Sequence, residues 1–124
     1  MTRYVTLSDA MAVVDRNAWH VRDIGLLDSV CQRPRARMYD VELYEGLDLK
    51  AATIMDSANR LHPLHDGNKR LSLILVHVFY AMNGRRLVGD QIEMADFVIE
   101  VADTHLPLEK MSEWLGAHTT ERRG

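Results

Sequence analysis

The nine consecutive residues His62 to Arg70 (H-P-L-H-D-G-N-K-R) combine an imidazole, a carboxylate, an amide and two cations. The imidazole of His62 can accept a proton near neutral pH, because histidine titrates there. The Asp66 carboxylate is a ligand for Mg²⁺, which usually also bridges substrate phosphates. Lys69 and Arg70 add two positive charges beside these groups. The residue types and their spacing therefore predict a site for phosphoryl or nucleotidyl transfer.

A helix that begins at about Gly67 must position these side chains. Free N–H groups at a helix N-terminus, together with the helix dipole, bind anions. Gly67 lets the backbone approach a ligand closely, and Asn68 can hydrogen-bond phosphate oxygens or fix the loop. The chain contains no G-x-x-x-x-G-K-[S/T] motif, so this phosphate cradle differs from a P-loop.

Each of these residues also has an ordinary structural explanation. The Asp66-Gly67-Asn68 tripeptide alone would be a turn, and the two cations alone would be solvated surface charge. A zinc site made of His62, His65 and Asp66 is another alternative, although the spacing is poor for zinc. The joint occurrence at the head of an apolar helix favours a functional site.

Helical periodicity dominates the rest of the chain. Ser8 is expected to cap a first helix, and Asp23 to start a second that Pro34 stops, with residues 33–37 as a polar loop. A third helix is expected from near Asp48 to Pro63. Its apolar stripe consists of Ala51, Ile54, Met55, Ala58 and Leu61.

Apolar residues surround the axis of the next helix, residues 67–83, which predicts a buried central helix. Residues 85–89 form a strand fragment or a loop, and a strand there would pair with residues 4–6. Two amphipathic helices follow, and Pro107 is expected to be the first residue of the second. The predicted fold is mostly α: one domain over residues 1–124, a helical bundle around the central helix, with at most a minor β element.

Composition excludes several other classes of function. The 15 Lys and Arg residues against 18 Asp and Glu residues give a net charge of −3, which argues against direct nucleic-acid binding. The longest apolar run, residues 71–83, is shorter than the roughly 20 residues that cross a bilayer. Cys31 is the only cysteine and cannot form an internal disulfide. We expect a cytoplasmic protein that binds neither membrane nor nucleic acid.

The segment from His62 to Arg70 resembles the signature of the Fic/Doc family, H-P-F-x-D/E-G-N-x-R. The run R-D-I-G-L-L at residues 22–27, followed by Arg33-Pro34, is similar to a segment of its death-on-curing (Doc) members. Fic adenylyltransferases have glycine in place of Lys69 and a second arginine in place of Leu73. Both differences resemble the Doc branch. Leu64 replaces the usual phenylalanine, which predicts looser packing of the loop onto the core.

This resemblance implies a toxin of a type II toxin–antitoxin pair that uses Mg²⁺ and ATP to phosphorylate a threonine of elongation factor Tu, which stops translation. It implies that His62 is the general base and that Asp66 holds Mg²⁺. The implied contacts to nucleotide and phosphate come from Gly67, Asn68, Lys69, Arg70 and Arg60. Arg60 matches an arginine of Doc-type members and is expected to face the same cleft.

The resemblance also implies an inhibitor encoded separately. Some family members carry an inhibitory helix with the pattern S/T-x-x-x-E-G/N, but Glu45-Gly46 here follows Val41 where Ser or Thr is needed. A Phd-type antitoxin, whose C-terminal segment folds into a groove of the toxin, is therefore the expected partner. Two other functions stay open: a Fic-type adenylyltransferase, against which Lys69 and Leu73 argue, and a non-catalytic helical binding module.

Overall fold

The computed structural model describes residues 1–122, which form six α-helices, a short 3₁₀ turn and two small two-stranded sheets. The helices are α1 (Leu7–Arg16), α2 (Ile24–Gln32), α3 (Leu47–Leu61), α4 (Asn68–Met82), α5 (Gln91–Thr104) and α6 (Leu108–Ala117). The 3₁₀ turn is Arg33–Arg35, and the strands are β1 (Arg37–Met38), β2 (Val41–Glu42), β3 (Arg85–Leu87) and β4 (Thr119–Glu121). The predicted mostly-α fold class is confirmed. No helix in this part of the chain could cross a membrane.

The central helix is α3, and the prediction that residues 67–83 form it was wrong. Every residue of α3 from Lys50 to Asn59 is buried, and α3 packs against α2, α4, α5 and α6. Only one face of α4 is fully buried, while Leu73, Ile74 and Val78 on its other face are partly exposed. Polar residues within α3 hid its position in the sequence, because burial is usually inferred from apolar residues. These buried polar residues are Lys50, Thr53, Asp56, Ser57 and Asn59.

The buried polar groups of α3 are all paired. The Lys50 ammonium donates to the carbonyl oxygen of Tyr44 at 2.5 Å and lies 3.3 Å from a carboxylate oxygen of Glu42. Asn59 donates to the Ser72 hydroxyl of α4 at 3.0 Å. Within residues 1–122, no buried side-chain nitrogen or oxygen lacks a hydrogen-bond partner. Polar residues are tolerated at the centre of this fold because each hydrogen bond offsets the cost of removing them from water.

Three helix boundaries differ slightly from the predicted ones. Thr6, not Ser8, caps α1, and it exchanges hydrogen bonds with Asp9 in a capping box. Asp23 caps α2 as predicted, and its carboxylate accepts from the N–H of Leu26 at 3.0 Å. The predicted polar loop 33–37 begins as the 3₁₀ turn, and Pro107 precedes α6 as its cap instead of being its first residue.

The strand pairing predicted for residues 85–89 was also wrong. Strand β3 pairs antiparallel with β4, so that Arg86 lies opposite Thr120, and residues 4–6 are not in this sheet. The polar sequence of β4 carries no alternation that would have indicated a strand. A second hairpin, β1–β2, turns at Tyr39 and Asp40, both with positive φ, and was not predicted.

An aromatic stack joins α5, α6 and the segment that follows α6. The ring of Phe97 stacks on Trp114, whose ring stacks on His118 with centroids 3.7 Å apart. The two ring nitrogens of His118 lie 2.7 Å from the Trp114 carbonyl oxygen and 2.5 Å from a Glu93 carboxylate oxygen. The bond to the Trp114 carbonyl and the Glu93 carboxylate together raise the pKa of His118. The protonated ring satisfies both acceptors at once.

We therefore expect the contribution of His118 to stability to depend on pH. It should be fully present below about pH 6.5, where unfolded histidine is also protonated, and be lost as the pH rises through the higher folded pKa. The melting temperature of wild type should lie above that of His118→Gln, and this difference should be about 2–4 °C larger at low pH than at high pH. A difference that does not change with pH would show that His118 acts through stacking alone.

Candidate active site

The loop between α3 and α4 directs its apolar side chains inward and its charged and histidine side chains outward. His62 ends α3 in the left-handed region, with φ 50° and ψ 62°, which is uncommon for a residue other than glycine. Pro63 and Leu64 turn inward, and Leu64 is 1% exposed within the hydrophobic core. Leucine thus packs the loop onto the core at this position, and the looser packing expected from the smaller side chain stays a prediction. His62, His65 and Asp66 remain exposed on the outer side of the loop.

The Asn68 side chain fixes this loop to the start of α4. Its amide oxygen accepts from the Leu64 N–H at 2.9 Å, and its amide nitrogen donates to the Leu64 carbonyl at 3.0 Å. The same nitrogen lies 3.5 Å from Nδ1 of His62, at the limit of hydrogen-bond distance. Of the two roles expected for Asn68, the structure therefore places this side chain in the loop-fixing one.

The N-terminus of α4 carries no side-chain cap. Gly67 occupies the cap position with φ 95°, and its carbonyl accepts from the Leu71 N–H at 2.8 Å. In the described part of the chain, the N–H groups of Asn68, Lys69 and Arg70 take part in no hydrogen bond within the protein. Three unpaired donors at the positive end of a helix dipole form an anion-binding site.

A cavity of about 590 Å³ opens in front of this helix end. It brings together six of the predicted site residues: His62, Asp66, Gly67, Asn68, Lys69 and Arg70. It is also lined by His65, which the sequence raised only for the alternative zinc site, and by four residues that the sequence did not single out: Trp19, Asn59, Ala102 and Asp103. His20, His77 and His105 lie outside this lining.

Trp19 packs against Gly67 so closely that a side chain would not fit there. A Cβ atom added to Gly67 would lie 2.8 Å from Cε2 and 2.9 Å from Nε1 of the indole. Trp19 follows α1, 48 positions before Gly67, and no motif or periodic pattern connects the two in the sequence. The glycine therefore serves close packing as well as its left-handed backbone.

Arg60 does not line the cavity, contrary to the expectation that it faces the same cleft. Its Nε lies 2.7 Å from one carboxylate oxygen of Asp56, one turn earlier on α3. The other oxygen of Asp56 lies 2.7 Å from Arg33. Asp56 is nearly buried, so the two guanidinium groups stabilise its charge there. Arg60 is thus turned along its own helix and away from the loop.

The electrostatics of the cavity suit a phosphate ligand that carries a metal ion. Lys69 and Arg70 are exposed and form no ion pair with any described residue. One oxygen of Asp66 accepts from the Gly67 N–H at 2.9 Å, while the other has no partner within residues 1–122. Across those residues, no three side chains of His, Cys, Asp or Glu are grouped to hold a metal. A single carboxylate nevertheless fits Mg²⁺, which takes further ligands from phosphates and water.

The chain was compared with known protein families and proteins. A model described as the Fic/DOC family matches residues 6–80, more than half of the chain. The chain belongs to the Fic/Doc family. A relative named Toxin Doc, from Mycolicibacterium smegmatis (strain ATCC 700084 / mc(2)155), is 35% identical over 117 residues, and the match covers 90% of each chain. The resemblance inferred from the residues is confirmed.

The structure explains the second segment that resembled the Fic/Doc family. Arg33 donates to Asp56 and Ser57 of α3, at 2.7 and 2.9 Å, and so ties the end of α2 to the central helix. Arg22 donates to main-chain carbonyls at the end of α3, beside the loop. These arginines contact the scaffold of the Fic/Doc loop, and neither lines the cavity.

Proposed function

We propose that this chain is the toxin of a toxin–antitoxin pair and transfers the γ-phosphoryl group of ATP to a threonine hydroxyl of elongation factor Tu, thereby inhibiting translation. The observation that carries the proposal is the cavity in which His62 lies with the uncapped end of α4 and two unpaired cations. The name of the Toxin Doc relative supports the assignment as a toxin.

In the proposed reaction, His62 accepts the proton of the target hydroxyl while the hydroxyl oxygen forms a bond to the γ-phosphorus. The bond between that phosphorus and its bridging oxygen breaks, and ADP leaves. Phosphoryl transfer depends mainly on positioning and charge stabilisation. Lys69, Arg70 and the free N–H groups of α4 supply positive charge and donors at one end of the cavity. His62 therefore supplies the proton acceptor, and α4 supplies the phosphate contacts.

The proposal includes Mg²⁺ as a cofactor bound by Asp66. The free carboxylate oxygen of Asp66 lies at the cavity, beside the donors of α4. When bound, Mg²⁺ would offset negative charge on the phosphates. The Asp66 carboxylate also holds the Gly67 N–H, and this contact fixes its orientation at the start of the helix.

Two residues favour γ-phosphoryl transfer over the alternative, adenylyl transfer. Lys69 places a long charged side chain beside the anion site, where Fic adenylyltransferases have glycine and leave room for a phosphate. Leu73, in place of a second arginine, lines an apolar groove next to the cavity together with Ala95, Val98 and Ile99. At the position where Fic adenylyltransferases have a second arginine that could bind a further phosphate, the surface of this chain is thus apolar.

The same groove supports the proposal that a Phd-type antitoxin is the partner. It lies between α4 and α5, and Lys69 and Arg70 stand at its rim as well as in the cavity. An amphipathic C-terminal segment of the antitoxin could bury its apolar side there and place an acidic residue against the two cations. Such a segment would cover the entrance to the phosphate-binding end of the cavity.

Labelled ATP distinguishes the candidate functions. Purified elongation factor Tu is incubated with the protein, Mg²⁺ and ATP labelled at either the α or the γ position. We expect label from the γ position on a threonine of the factor, and none from the α position. Transfer from the α position would identify an adenylyltransferase, and transfer from neither would leave a binding module, so both outcomes contradict the proposal.

A further inference from the structure

The connection between α1 and α2 runs antiparallel to the loop between α3 and α4. The carbonyl of His20 accepts from the His65 N–H at 3.0 Å, and Val21 forms an isolated β-bridge with Leu64. The N–H of Arg22 donates to the Pro63 carbonyl at 2.7 Å. We call residues 19–23 the strap. Successive residues of the strap thus contact successive residues of the loop.

The side chain of Arg22 extends this pairing to the end of α3. Its Nη2 donates to the Leu61 carbonyl and its Nε to the His62 carbonyl, both at 2.7 Å. Together with its own N–H, Arg22 satisfies three consecutive carbonyls, those of residues 61, 62 and 63. Carbonyls at a helix C-terminus lack intrahelical partners and carry partial negative charge, so a guanidinium is well suited to bind them.

These three hydrogen bonds enclose the one strained residue of the loop. His62 has φ 50°, a conformation that costs free energy for a residue with a side chain and persists only when its surroundings hold it. The direction of the imidazole follows from this backbone conformation. If φ returned to negative values, the imidazole would no longer point toward the cavity that Lys69 and Arg70 share with it.

We propose that Arg22 is a positioning residue for the transfer reaction: it holds His62 in the left-handed conformation that directs the imidazole into the cavity. The kinetic part of this inference rests on the proposed function. The phosphate-binding end of the cavity is held independently, through the Asn68 bonds to Leu64 and the packing of Trp19 on Gly67. Loss of Arg22 should therefore lower kcat and leave the KM for ATP nearly unchanged.

The chain offers well-matched variants for this test. Arg22 is exposed, so Arg22→Met removes its donors without opening a cavity in the core. Arg22→Lys keeps the charge but cannot donate to both carbonyls in the same planar geometry. Arg122 is the control, because its guanidinium also donates to a carbonyl of a helix end, that of Ala81 on α4, away from the cavity.

We expect kcat for phosphoryl transfer to fall about 10- to 100-fold in Arg22→Met, since small displacements of a reacting group have effects of this size. The KM for ATP should change less than about twofold, and Arg22→Lys should recover part of the rate. Arg122→Met should retain the wild-type values. The inference would be overturned if kcat of Arg22→Met fell no more than kcat of Arg122→Met, or if Arg22→Met changed only the KM for ATP.

A second measurement is independent of catalysis. In isotope-labelled full-length protein, the coupling between HN and Hα and the Cα shift of His62 report its φ angle. Both should move toward the values for negative φ in Arg22→Met and stay unchanged in Arg122→Met. Unchanged values in Arg22→Met would refute the positioning role. If wild type transfers no phosphoryl group, the proposed function fails, and these spectra still decide whether Arg22 holds His62.

Discussion

Alanine in place of His62 is expected to lower the rate of γ-phosphoryl transfer about 10²- to 10⁴-fold, the range that general acid–base catalysis contributes. The variant loses the one imidazole that both lies in the cavity and ends α3 at the loop. ATP binding should persist, because the donors of α4 and the two cations are untouched. The rate is measured with ATP labelled at the γ position, and ATP binding is measured by calorimetry.

His105→Ala provides a closely matched control. His105 also ends a helix, α5, in the left-handed conformation with φ 50°, and its side chain is exposed. It does not line the cavity. Both variants therefore change the same residue type at the same kind of helix end, and only His62→Ala should lose activity. Retention of the wild-type rate in His62→Ala would exclude His62 as the base.

Gly67→Ala is expected to destabilise the protein and to abolish most of the transfer activity. A Cβ atom at φ 95° costs about 1–2 kcal/mol, and the contact with Trp19 at 2.8 Å adds an overpacking cost of about 1–3 kcal/mol. The indole must move to relieve the contact, and it lines the same cavity as His62. Chemical denaturation measures the free energy of unfolding, and γ-phosphoryl transfer measures the activity.

Gly84→Ala separates the two costs. Gly84 has φ 76°, and a Cβ atom there would meet nothing within 4 Å. This variant should be destabilised only by the backbone cost of about 1–2 kcal/mol and should keep its activity. Equal losses of stability in the two alanine variants would show that the packing of Trp19 on Gly67 contributes nothing.

The local part of the site could be predicted from the sequence. His62, Asp66 and Lys69 lie within a few positions of one another, and the helix that follows them was indicated by its own apolar residues. Local patterns suffice here because helix ends and short loops place neighbouring residues by geometry alone. The structure places these residues around one cavity.

The non-local part could not be predicted, for identifiable physical reasons. Trp19 and Asp103 reach the cavity from opposite ends of the chain, and no pattern in the sequence encodes which distant segments meet. Arg60 was expected at the cleft, but the carboxylate of Asp56, four residues earlier, binds it along the helix. The pairing of β3 with β4 likewise depends on where α6 ends.

Arg22 donates across 39 and 40 positions of the sequence to the last carbonyl of α3 and the first carbonyl of the loop, so the shape of the loop is not a local property of the nine motif residues. Bringing such distant segments together costs loop-closure entropy. Contacts between the segments offset this cost only when both segments are already folded. A chain in which α1 and α2 have not docked thus contains the complete motif without its working geometry. The loop geometry observed at His62 therefore arises with tertiary folding and cannot precede it.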